Sequence, residues 1–132
     1  MSKRLIVLGG VQNLLGLLFH LLFWRLFGWP EGLLCLSHDN RAGMQVLDIQ
    51  LMFLFAFFAY VSFVYPNALI ATTLGRVICW FIVIFYFARI INQLVFWDPL
   101  MARSVVLISG CLLTIFLYLI PLIASREAFA GS

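Results

Sequence analysis

Charge is what this chain has least of. Lys, Arg, Asp and Glu make up 10% of its 132 residues while 65% are apolar, a balance that a soluble domain of this size cannot keep off its surface. The eight Lys and Arg are scattered rather than clustered, which argues against nucleic acid as a partner despite a formal charge of +3. Cys35, Cys79 and Cys111 form an odd, widely spaced set, and the last two fall in apolar runs where a thiol behaves as a small hydrophobe. Neither a disulfide framework nor a metal site is implied. Long polar stretches are missing too: the longest connection is 31–40, which leaves no room for a second domain. The apolar run after Lys3 and Arg4 lacks a clear small-x-small cleavage site, so it reads as a retained helix rather than a signal peptide.

What remains is apolar sequence in four runs. A hydrocarbon layer of about 30 Å is crossed by about 20 helical residues. The sequence therefore predicts an all-α integral membrane protein, a single antiparallel four-helix transmembrane bundle over 1–132, with spans at about 5–24, 44–64, 69–97 and 105–124. Arg25, Gly28, Trp29 and Pro30 close the first span with an interfacial aromatic and a helix breaker. Tyr65, Pro66 and Asn67 read as a tight turn after the second. The third is unusually long and carries Arg76 and Arg89, so as one helix it must tilt or project into the headgroups. The fourth leads into a polar tail, 125–132. Lys3, Arg4, Arg76 and Arg126 would lie on one side and Arg25, Arg41 and Arg103 on the other, and this near balance leaves the orientation undecided.

An ionisable side chain within a span costs roughly 2.5–3.5 kcal/mol on insertion scales, so each one is interfacial, paired or used. Gly9, Asn13, Gly16 and His20 share one face of the first helix, as a small-residue contact with two polar groups hydrogen-bonded across it. Arg41, Gln45 and Asp48 share a face of the second helix, and Arg89 aligns with Asn92 and Gln93 on the third. Interhelical ion pairing, or a snorkelling Arg89, accounts for these residues structurally. Arg103 stands at the foot of the fourth helix, where arginines anchor to the interface. Up-down-up-down packing would gather Arg41, Gln45, Asp48, Arg89, Asn92 and Arg103 at one end of the membrane layer, a set suited to a small anionic ligand.

Three segments carry a family resemblance. Arg41-Ala42-Gly43-Met44-Gln45-Val46-Leu47-Asp48 is similar to a second-helix pattern Arg-Ala-His-x-Asn-x-x-Glu. Ala88-Arg89-Ile90-Ile91-Asn92-Gln93-Leu94-Val95-Phe96 keeps the first pair of Ala-Arg-x-x-His-x-x-x-Tyr, and Arg103 precedes Gly110 by seven residues. Over 41–110 the chain thus resembles the MAPEG family, membrane-associated proteins in eicosanoid and glutathione metabolism. Gly43 and Asn92 stand where that pattern has histidines, and Phe96 where it has tyrosine. The resemblance implies a trimer of four-helix protomers binding glutathione through Arg41, Gln45, Asp48, Arg89 and Asn92, with Arg103 as the catalytic residue favouring the thiolate. A thiol of pKa about 8.5 lowered by about two units needs roughly 2.7 kcal/mol, within reach of a desolvated guanidinium. The thiolate would attack a lipophilic electrophile arriving from the bilayer.

Two other classes fit the same residues. A non-enzymatic accessory or scaffold subunit, bound to a larger membrane protein, would use its polar groups only to lock helices, and its 14 Phe, 4 Trp and 4 Tyr for lipid or partner contact. A small oligomeric transporter or channel would use Asp48, His20 or Arg89 in a pathway between protomers.

Overall fold

A computed structural model describes residues 2–130, with side chains through 124. The side chains from 125 on, Arg126 among them, and residues 131–132 lie outside the described residues, and with them most of the expected polar tail. The chain is all-helical, with no strand among the described residues, and four of its helices are long and apolar enough to cross a membrane.

Helix α1 spans Ser2–Leu21 and is followed at once by the short α2, Phe23–Leu26. Gly28 stops the chain in the left-handed region at φ 59°, and the N–H of Trp29 donates back to Trp24 O at 2.8 Å. This is the closure glycine permits at a helix end, because it has no Cβ to collide with the carbonyl. A single 3₁₀ turn, Glu31–Leu33, buries Leu33 beneath the loop.

Helix α3, His38–Val64, begins before the expected start at 44 because Ser37 caps it, accepting from Asn40 N at 3.4 Å, with Asp39 in the first turn against the positive helix end. Its 27 residues are about 40 Å long at 1.5 Å per residue, longer than the roughly 30 Å of a bilayer core.

The third span is not the continuous helix expected over 69–97. Pro66 opens a short helix α4, Pro66–Ala71, and Thr72 in extended conformation separates it from α5, Thr73–Phe96. Thr72 Oγ1 accepts from Gly75 N at 2.9 Å and donates to Ala68 O at 2.8 Å, serving both helix ends at once. Gly75 lies so close to α4 that a Cβ there would stand 2.5 Å from Leu69 Cα and press on Ala68 O. The break shortens the helix expected over 69–97: α5 has 24 residues, about 36 Å. Helix α6, Ala102–Ala130, starts after Asp98 accepts from Leu100 N at 2.9 Å, three residues earlier than expected, and continues as helix into the stretch expected to be a tail.

Helix α1 packs on α3 and α6, and α5 packs on α6. Gly9 lies under the Tyr118 ring, Gly10 under Ser62 and Phe63, and Gly16 under Phe55, so small residues bring the backbone of α1 close to its neighbours. Between α3 and α5 the contact is made by rings instead: Phe58 meets Phe85 at 5.5 Å and Phe81 at 6.1 Å, and Phe55 meets Phe85 at 5.9 Å. The outside is as apolar as the inside. Only 28–33% of the apolar window of each span is buried, and Phe53, Leu74 and Val106 stand about 70% exposed (69%, 71% and 70%). Exposed apolar surface on this scale is consistent with a multi-pass integral membrane protein.

Candidate functional site

The interior is organised by a seven-residue repeat in all four long helices. Ile6, Asn13 and His20 on α1, Asp48, Phe55 and Ser62 on α3, Cys79, Tyr86 and Gln93 on α5, and Ser104, Cys111 and Tyr118 on α6 are all buried, none more than 8% exposed. A seven-residue period holds one face of each helix inward along its length, as in knobs-into-holes packing. Contacts across the helices then stack these residues in layers.

In the inner layers every polar group is satisfied. Asn13 Nδ2 donates to Gly9 O (2.8 Å) and to the Tyr118 hydroxyl (2.9 Å), while Asn13 Oδ1 accepts from the Tyr86 hydroxyl (2.8 Å). Ser62 Oγ gives its proton to Phe58 O (2.7 Å) and accepts from Tyr118 (2.6 Å). Both amide protons of Asn13 and the three hydroxyl protons are used, and four helices are tied through one asparagine.

The last layer is two polar pairs of unequal completeness. Gln93 Nε2 donates to Ser104 Oγ at 3.0 Å, clasping α5 to α6. His20 Nδ1–H donates to Asp48 Oδ1 at 2.6 Å, clasping α1 to α3. Phe23 stacks on the imidazole at 5.2 Å and Phe55 lies at 5.3 Å, walling off the ring. Asp48 Oδ2 is buried without a hydrogen-bond partner among the described residues. Beyond the ring lies a lateral groove of about 180 Å³ between α1, α5 and α6, reached by Gln12, Phe19, His20, Tyr86, Arg89 and Cys111. Arg89 is half-buried there, within electrostatic range of His20, and forms no hydrogen bond or ion pair with a described residue. The site thus combines a fixed imidazole, a carboxylate with spare acceptor capacity and a guanidinium with unused donors, beside a mostly apolar wall that also carries Gln12 and Tyr86.

The expected cluster is only partly assembled. Asp48 and Arg89 come to the same region on either side of His20, which is bonded to Asp48 and lies within electrostatic range of Arg89. Arg41 and Gln45 are half-buried on the turns of α3 leading to Asp48, and their side chains make no hydrogen bond to a described residue. Asn92 is exposed; its neighbour Gln93 turns inward instead. Arg103 is exposed at the start of α6, 5.1 Å from the Trp97 ring centre and donating to the Met101 sulfur at 3.2 Å. Asp48 therefore pairs with a histidine and not with Arg41, Arg89 or Arg103. The expected contact face Gly9, Asn13, Gly16 and His20 is present as such. Sequence reading missed Tyr86, Tyr118, Ser62 and Ser104, although each sits seven residues from another buried group, and that period was the available signal.

Comparison with family models, with curated proteins and with solved structures gives no match. The likeness to the MAPEG family rests on the quoted residues alone, and the site is read from its own geometry.

Proposed function

We propose that this chain is a multi-pass integral membrane protein, an antiparallel four-helix transmembrane bundle, whose lateral groove binds an amphiphile with an anionic head. The order of contacts supports the antiparallel arrangement, since Gly10 meets Ser62 while His20 meets Asp48, and Gly9 meets Tyr118 while Gly110 meets Gln12. The observation that carries the ligand reading is Arg89, a charge well inside α5 that faces the groove beside His20 and has no internal partner among the described residues. Left empty, such a guanidinium is expensive within a span; an anionic head arriving from the bilayer satisfies it while its chain stays among Leu15, Phe19, Val106 and Leu107.

Photolabelling tests this. A long-chain carboxylic acid with a diazirine near its head, reconstituted with the protein in phosphatidylcholine, is expected to label groove residues of α1, α5 and α6, and to lose that labelling in Arg89→Leu. Labels spread evenly over all outward faces and unaffected by Arg89→Leu would instead favour an accessory subunit that meets lipid without selecting it.

A further inference from the structure

The geometry points to a proton-linked site: an anionic head enters the groove together with one proton, which His20 takes up while Asp48 holds the ring. This rests on the groove reading above. His20 and Asp48 are 4% and 7% exposed, and the groups facing the imidazole can be enumerated. From α3 there is Asp48; from α5, Arg89 and the Tyr86 hydroxyl, the latter committed to Asn13; from α6, the Cys111 thiol; from α2, only the Phe23 ring. Neither Tyr86 nor Cys111 can supply positive charge.

Charge balance in an apolar surrounding then decides the states. With the site empty, a neutral imidazole, the Asp48 carboxylate and the Arg89 guanidinium sum to zero. A monoanion brings the sum to minus one unless a proton accompanies it. The proton comes from water, the head remains ionised, and the imidazole becomes imidazolium, still donating Nδ1–H to Asp48 and now offering Nε2–H to the head. The bond from Nδ1–H to Asp48 Oδ1, at 2.6 Å, becomes charge-assisted on both sides in the imidazolium state, which favours that state beside the carboxylate.

The test uses hexadecyl sulfonate, whose head stays ionised over the working range, titrated calorimetrically into the full chain in phosphatidylcholine nanodiscs against empty discs. Uptake of one proton makes binding tighter at low pH and weakens it by about tenfold per pH unit as pH rises between the titration of His20 in the free and in the occupied site. Repeating the titration in two buffers of different ionisation enthalpy should count one proton absorbed. Asp48→Asn leaves Arg89 alone to balance the anion, so binding should persist at alkaline pH with the slope gone. His20→Gln removes the acceptor, so the slope should vanish at the wild type's weaker, alkaline affinity. Binding that is flat with pH in the wild type, yet lost in Arg89→Leu, would overturn the proton link and leave the groove reading intact. A slope that survives in His20→Gln would overturn it as well. No binding at any pH would overturn both.

Discussion

The inner layers and the last layer of this bundle are built from similar polar groups and reach opposite states. Around Asn13 each donor has an acceptor: two tyrosines, a serine and two carbonyls close the set. Around His20 the set stays open, with Asp48 Oδ2 unpaired and Arg89 turned to a groove. A complete network among buried groups stiffens and aligns the helices; an incomplete one keeps interaction capacity that something else can satisfy. The difference teaches that a polar residue inside a span is not by itself a sign of function. What matters is whether its hydrogen-bonding inventory closes within the chain.

Breaking the closed layer should cost stability most. Asn13→Ala leaves the Tyr86 hydroxyl without its acceptor and removes the amide donor to Tyr118, which keeps only its bond to Ser62, and is expected to destabilise by about 2–3 kcal/mol, read as an earlier transition in denaturing-detergent titration. Gly75→Ala should come next, at roughly 1–3 kcal/mol, because the added methyl must push the α4 backbone away rather than a flexible side chain. Tyr118→Phe removes one hydroxyl and leaves the ring over Gly9, so about 1 kcal/mol is expected, with groove labelling unchanged. Arg89→Leu sharpens the comparison from the other side: ligand labelling should disappear while stability stays within about 0.5 kcal/mol of the parent or rises, since no internal bond to a described residue is lost.

Much of the fold was legible because its causes are local. Apolar runs long enough to cross a bilayer gave the four helices, and the face of Gly9, Asn13, Gly16 and His20 gave the first helix its contacts. The break at Thr72 was not legible from hydrophobicity, since it comes from a side-chain cap and from a glycine that lets two backbones touch. The site was half legible. Asp48 and Arg89 stood out because ionised groups are costly in a span, yet charge alone suggested pairing with arginine, and the choice of His20 depends on which helix faces are turned toward each other. Asn92 and Gln93 are adjacent and chemically alike; only the seven-residue row through Cys79 and Tyr86 tells which of them points inward.

The most direct test of the contrast is native mass spectrometry of the protein released from its own membranes, with Tyr118→Phe and Arg89→Leu prepared alongside. The account predicts a single-chain anionic amphiphile retained by the wild type and by Tyr118→Phe, and absent from Arg89→Leu. Equal retention in Arg89→Leu, or none in any of the three, would contradict it.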